Sequence, residues 1–493
     1  MKNLSLLLLL GLAGSALSQT SDNCAEMTQF QVPGEPLVIT KATVLPAAEG
    51  LPSRCQVDGM INERKGADGK TYGVGFAVAL PDNWNNRYLF QGGGGYNGLV
   101  RPPLGAAASG GSVALARGFA VATSDTGHQG EGRSYDVDQQ ASLDFAQVAV
   151  AQVTRVAKQI VARYYGQAAR YSYFTGCSTG GREAMLMTQR YPTYYDGVIS
   201  GDPAMRTGFS RFGNQWRQAA FAEFAPKDSA GKPQPHKLYS EADKKLFVDS
   251  MLNVCDANDG LKDGMVFNPD ACTFDPAVLT CRGAKTDSCL SQPQVAALKK
   301  AFPGPRNSTG ELVAPMSLYD ADVAVMFPSA EPPAAVQAPM TAANVDARLF
   351  QLANDPLEAV TNSTWTNLTT FSGHGGKLIF YNGMSDPTFH AMDTLDYYKR
   401  MANVNGGMAE VQDWSRFYLV PGMLHCRGGE AALDQFDLLS SLVNWVEKGV
   451  APEGIVATGA AFPGRSRPLC PYPKHTQYTG KGDPQDAKNF VCQ

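Results

Sequence analysis

The chain has 493 residues, too many for one small core, and its 44% hydrophobic and 18% charged content is that of an ordinary globular protein. One large catalytic domain carrying an inserted second domain is the arrangement expected at this length. The formal net charge is −4 and no basic run stands out, which excludes electrostatic binding to nucleic acid.

The first elements are not part of the fold. Lys2 supplies a short positive region, Leu4 to Ala16 is a leucine-rich apolar stretch, and Ala16 and Ser18 occupy the small-residue positions of a cleavage site. We read residues 1–18 as a signal peptide cut after Ser18. The stretch is too short to span a membrane comfortably, and no later segment reaches that length. The expected product is soluble, makes no membrane contact, and is secreted, or periplasmic if the host is a Gram-negative bacterium.

Strand and helix signals alternate from about residue 40 to 204. "GVGFAVALP" (73–81), "RYLFQ" (87–91), "GFAVATSD" (118–125) and "YSYFTG" (171–176) read as strands. Residues 143–166 have helical apolar spacing and end at a glycine, and 181–192 form a helix closed by Pro192. From about 205 to 370 prolines cluster and strand alternation fades, as expected of an inserted lid domain. The rhythm then returns with strands at 377–383 and 416–422. A helix over 434–449 places Phe436, Leu439, Val443 and Val446 on one face and stops at Gly449. The predicted architecture is α/β, a mainly parallel sheet built by 19–204 and 371–493 with the lid at 205–370.

Ten cysteines, an even number, suggest up to five disulfides in an exported chain. Spacing alone does not fix the pairing. The local candidates are Cys24–Cys55, Cys255–Cys272, Cys281–Cys289 and Cys470–Cys492, which leaves Cys177 and Cys426 for each other. A zinc site is disfavoured, because no Cys-x-x-Cys pair and no nearby paired histidines are present. Sequons at Asn307, Asn362 and Asn367 carry meaning only in a eukaryotic secretory route.

"GCSTGGREA" (176–184) holds Ser178 in a Gly-x-Ser-x-Gly pattern between a strand and a helix, the context of a nucleophile elbow. Glycines at 176 and 180 suit a tight turn around a strained serine. A serine nucleophile needs a base and an orienting acid. In α/β-hydrolase order the acid follows the serine and the histidine comes last. Asp386 in "NGMSDP" and His425 in "PGMLHC" each follow a strand, on the edge where a parallel sheet carries its active residues. His390 is the rival base, but no strand leads directly into it. Asp393 and Asp396 are the weaker acids, placed on the helix after Asp386. "QGGGGYNG" (91–98) lets backbone amides approach a substrate, and we assign the oxyanion donors to the amides of Gly95 and Thr179. A phosphate-binding loop would end in Gly-Lys-Ser/Thr, and this one does not.

The paired "CS" at 177–178, Asp386 and "HC" at 425–426 resemble the Cys-Ser…Asp…His-Cys arrangement of the tannase and feruloyl esterase family, which includes hydrolases of mono(2-hydroxyethyl) terephthalate. "GGRE", "YDGVISGDP", "GMSD" and "RPLCPYP" extend the resemblance from about Cys24 to Cys492. It implies an α/β-hydrolase core with a large inserted lid, a triad of Ser178, Asp386 and His425, oxyanion positions at Gly95 and Thr179, and a Cys177–Cys426 disulfide. It also implies a structural calcium in the lid, held by the carboxylates of Asp256, Asp259 and Asp263 and the carbonyls of Leu261 and Met265. Three carboxylates with turn carbonyls make the hard oxygen shell that calcium prefers. By spacing alone "CDANDGLKDGM" (255–265) equally reads as two Asp-Gly turns without metal, and it lacks the glutamate that closes an EF-hand. No organic cofactor is implied.

The implied activity is that of a serine carboxylesterase acting on aromatic acid esters as a monomer or homodimer. Feruloyl esters come first, with gallate esters and terephthalate monoesters as alternatives. Phe389, shortly after Asp386, matches the aromatic of the family's acyl pocket. The lid between Cys289 and about Thr341 is short. It lacks the tryptophan- and arginine-rich insertion of the terephthalate-ester hydrolases, and Arg306 and Arg348 are the arginines available in its place. A non-catalytic binding protein on a hydrolase fold is disfavoured, because such proteins usually lose a triad member.

Overall fold

Short runs of β-branched and aromatic residues, bounded by glycine, proline and asparagine, become strands close to where the pattern places them. The computed structural model describes residues 23–314, 318–328 and 340–493. The signal peptide expected at 1–18 and parts of the expected lid lie outside these residues. The chain divides into two units. One runs to Val198 and takes in Gly373–Gly376, and the other comprises Ile199–Ser372 and Lys377–Gln493. This division differs from boundaries at 204/205 and 370/371, because the strands that follow the lid group with it.

The first unit holds six strands: β1 (Leu37–Leu45), β2 (Arg54–Lys65), β3 (Thr71–Pro81), β4 (Arg87–Gln91), β5 (Ala120–Ser124) and β6 (Tyr171–Cys177). Their order across the sheet is β1-β2-β3-β5-β4-β6. The first three form an antiparallel meander joined to β5, while β4 lies parallel to both β5 and β6. β4 and β6 are the parallel layer that leads into the glycine loop and the serine. Helix α1 (Ala149–Tyr165) buries Val150, Val153, Val156, Ile160 and Val161, and Gly166 closes it in the left-handed conformation at φ 73°. The helix expected from 143 instead starts at Gln139, capped by Asp138, and carries a widened π turn over Asp144–Val148 before α1. Helix α2 (Thr179–Arg190) starts two residues earlier than expected, directly after Ser178, and ends before Pro192.

In the second unit the chain leaves β7 (Gly197–Gly201) for a stretch with no sheet strand among its described residues, 205–370. Helices α3 (Thr207–Phe224), α4 (Glu241–Cys255) and α5 (Gln292–Ala301) are its frame. Ser240 and Ser291 start α4 and α5 with capping boxes. A core of Phe221, Phe247, Met251, Leu298, Phe302 and Phe327 fills the space among these helices. Parallel strands β8 (Lys377–Gly383) and β9 (Ser415–Val420) then carry the acid and base loops, with helix α6 (Ala391–Val404) between them.

The last helix differs from expectation. α7 covers Leu438–Lys448, not 434–449, because the Asp437 side chain accepts from the Ser440 amide and fixes the start. Phe436 therefore lies in a two-residue strand, and the buried face is Leu438, Leu439, Leu442 and Trp445, with Val443 and Val446 only half-buried. The four local disulfides form as expected: Cys24–Cys55, Cys255–Cys272, Cys281–Cys289 and Cys470–Cys492. No described helix is long and apolar enough to cross a membrane.

Candidate active site

In the first unit β6 runs straight into Ser178, whose backbone sits at φ 65°, ψ −124°. That region is sparsely populated for a residue with a side chain and is held here by its surroundings. A Cβ at Gly176 would lie 2.3 Å from the Gly180 carbonyl oxygen, and one at Gly180 would lie 2.7 Å from that of Gly93. Only glycine lets the serine turn and the 91–98 loop come this close. The Ser178 hydroxyl makes no capping bond to α2, and Thr179 opens that helix, where the first amides have no partner within the helix.

The glycine loop is tied to the same helix. Thr179 Oγ1 donates to the Gly95 carbonyl. Gly95 has φ 61° and open space where a side chain would be. Glu183, 1% exposed, accepts from the Gly93 amide at 2.9 Å and from Asn97 Nδ2 at 2.6 Å. Its carboxyl is pushed up, first by burial. Sequence reasoning did not assign Glu183 a role. The available signal is a glutamate one turn into a buried helix, next to Arg182, in a chain with a glycine loop needing an anchor.

In the second unit β8 and β9 deliver the acid and the base. Asp386 is 1% exposed. Its Oδ1 accepts from the Thr388 amide at 2.7 Å and the Phe389 amide at 3.1 Å. Its Oδ2 lies 2.8 Å from His425 Nδ1. These bonds fix the carboxylate and give the imidazole its orientation. The Phe389 ring lies 5.4 Å from the His425 ring, centroid to centroid. The alternatives stand in other surroundings. His390 is buried, neither ring nitrogen has a hydrogen-bond partner, and burial pushes its pKa down to about 3. Asp393 pairs with Arg206 Nε at 2.8 Å, and Asp396 with Arg400 at 2.8 Å. Arg306 is exposed and donates to the Gly310 carbonyl at 2.8 Å, while Arg348 bonds Gln351 at 3.1 Å.

The acidic loop 255–265 offers the donor chemistry of a hard cation site. Asp256 accepts from the amides of Asp263 at 3.1 Å and Gly264 at 2.9 Å, and Asp259 accepts from that of Leu261 at 3.1 Å. Asp263 Oδ2 pairs with Arg467, but its Oδ1 is buried with no hydrogen-bond partner. An orphaned carboxylate oxygen beside two further buried carboxylates fits a bound calcium.

The mixed, mostly parallel sheet with its helices is that of an α/β-hydrolase fold, and the chain is a carboxylic ester hydrolase. The family model for tannase and feruloyl esterase matches residues 55–344 and 337–493, and the chain belongs to that family. Relatives include the mono(2-hydroxyethyl) terephthalate hydrolase of Piscinibacter sakaiensis, 37% identical over 90% of this chain and 86% of that protein. Feruloyl esterase B of Aspergillus niger is 30% identical over 84% of this chain and 82% of its own. Among solved structures, feruloyl esterase B from Aspergillus oryzae aligns with a TM-score of 0.79 at 23% identity, over 96% of this chain and 100% of that one.

Proposed function

We propose that this esterase hydrolyses esters of aromatic acids, with feruloyl-type esters first, through a Ser178–His425–Asp386 triad. The observation that carries this is the 2.8 Å bond between His425 Nδ1 and a buried, amide-anchored Asp386, which leaves Nε2 to take up a proton. The Ser178 Oγ attacks the ester carbonyl carbon while its proton passes to His425 Nε2. The amides of Gly95 and Thr179 hold the oxyanion. The ester C–O bond then breaks, and His425 returns the proton to the departing alcohol. Water repeats the sequence on the acyl-enzyme, releasing the acid and restoring Ser178. In this reading Phe389, whose ring lies 5.4 Å from that of His425, lines the acyl pocket.

Gallate esters and terephthalate monoesters are the alternatives. The 37% identical relative named for a terephthalate ester favours the latter, whereas Arg306 and Arg348 already have partners and the lid lacks the arginine-rich insertion. In this reading a Cys177–Cys426 bond ties the nucleophile's turn to the base's loop. Asp256, Asp259, Asp263 and the carbonyls of Leu261 and Met265 hold calcium, which supplies charge compensation in the lid and takes no part in bond making. The disulfides, bonds that persist in oxidising compartments, support export.

Two measurements test the proposal. Ser178→Ala should lower kcat on aryl esters by about 10⁶-fold, and unchanged turnover would sink the triad. Comparing kcat/KM for methyl ferulate, methyl gallate and a terephthalate monoester decides the acyl group. A preference for either of the last two replaces the feruloyl assignment.

A further inference from the structure

Asp202 stands at the C-terminal end of β7, in "GDP", fully buried and with its backbone at φ 36°. A residue other than glycine is held in this region only by its contacts. Those contacts converge on the acid loop. The Asp202 amide donates to the Tyr381 carbonyl at 2.9 Å. Its Oδ1 accepts from the Gly383 amide at 2.9 Å and from Asn382 Nδ2 at 3.1 Å. The Cys426 amide favours its charged form, and the neighbouring Asp386 carboxyl opposes it. One polar atom each of Asp202, Asp386 and His425 lie within 4.8 Å of one another.

Two buried carboxyl groups held this close share a hydrogen bond only if one of them carries a proton. Asp386 already accepts from two amides and from the His425 side, as a carboxylate does. Asp202 is the member that burial, and then the charge of Asp386, hold well above the usual carboxylate range. The other ionisable groups around the pair are consistent with this. Arg217 donates to the Pro387 carbonyl at 3.2 Å and acts on Asp386, His390 is kept neutral by burial, and the Tyr381 phenol is pushed up by burial.

We propose that Asp202 is a positioning residue: as a neutral carboxylic acid it donates a hydrogen bond to Asp386, fixes the plane of that carboxylate, and so sets the direction in which Asp386 holds His425 Nδ1. Its relevance to turnover rests on the ester-hydrolase reading above. The role goes beyond the three residues that do the chemistry, since Asp202 acts only through Asp386.

The test compares Asp202→Asn with Asp202→Ala in the full chain. Asparagine keeps an acceptor for the Gly383 amide and offers an N–H to Asp386. It should keep kcat within about threefold and leave the acid limb of the pH–rate profile in place. Alanine offers neither, and kcat should fall about 10²-fold with little change in KM. Where alanine does not fold, Asp202→Ser, too short to reach Asp386, reads the same loss. A downfield proton resonance for His425 Nδ1–H, assigned by its loss in Asp386→Ala, should move in the alanine variant and stay in the asparagine variant. An unchanged kcat in Asp202→Ala overturns the proposal. So does an asparagine variant as damaged as alanine, which would mean that negative charge, not a donated bond, is required. A fall in kcat with an unmoved resonance overturns it too, because that is a merely structural effect. If the wild-type protein turns over no aryl ester, the function reading fails on its own, and the resonance still decides the role of Asp202.

Discussion

Asp202 and Asp386 belong to one buried acidic group of the second unit, and Asp256, Asp259 and Asp263 to another. In the first group protein partners meet the carboxyls: amides cover Oδ1 of each, and His425 meets Oδ2 of Asp386. Its members come from the ends of three different strands and still gather within 4.8 Å. The second group comes from a single loop and does not gather that closely. Burial and its neighbours push Asp259 up to about 7, Arg467 answers only one oxygen of Asp263, and the other is left without a hydrogen bond. A cluster that satisfies itself can orient a base. A cluster left with an unpartnered carboxylate oxygen offers a place to an outside cation.

The sharpest way to break this comparison is to remove the central member of the first group. Asp386→Ala strips the orienting partner from His425 and should lower kcat by about 10⁴-fold. It also leaves the Thr388 and Phe389 amides without their acceptor, at a stability cost of about 1–3 kcal/mol. Thermal melting and kinetics on one aryl ester measure both. A large loss of stability with turnover intact would reverse the roles given to the two groups.

The second group should respond in the opposite sense. With calcium at about 100 times its dissociation constant, binding adds about 2.7 kcal/mol of stability. Treatment with a calcium chelator should therefore lower the melting temperature by several degrees, while kcat below the transition changes little. Asp256→Asn should reproduce the shift and make it insensitive to the chelator. A melting temperature indifferent to both treatments would remove calcium from the loop.

How far these groups could be read in advance follows from where their partners lie. The turn at Ser178 and the pairing of Asp386 with His425 were legible because each residue follows a strand, and β4 and β8 matched their expected limits because polar turns bound them. The acids of 255–265 were legible as a cluster because they are neighbours in sequence, although their spacing alone reads equally well without metal. Glu183 and Asp202 were not, because a buried carboxyl looks like a surface charge until the loop that donates to it is known. For Glu183 that loop lies some 90 positions away, and for Asp202 some 180. The start of α7 was misjudged for a local reason. Phe436 fits helical spacing, but Asp437 caps the helix after it.

The smallest expected effect sharpens the comparison from the side of the fixed cation. Arg467 is fully buried, pairs with Asp263 Oδ2, donates to the Ser466 carbonyl at 2.8 Å, and lies over the Phe490 ring at 4.3 Å. Arg465 adds a bond to the Asp263 carbonyl at 2.8 Å. The arginine therefore already neutralises part of the charge that calcium would meet. Arg467→Met keeps most of the apolar contact and removes the positive charge. In chelator the variant should melt below the wild type, because breaking a buried pair from one side costs about 3–5 kcal/mol. In calcium it should recover more than the wild type does, because the ion then meets the full charge of Asp263. The quantity to read is the difference between the two calcium-induced shifts, expected at about 1 kcal/mol, the net worth of a typical intramolecular hydrogen bond. Equal shifts in both proteins would show that Arg467 and the ion act on Asp263 independently. A smaller shift in the variant would mean that the arginine builds the site instead of competing for it.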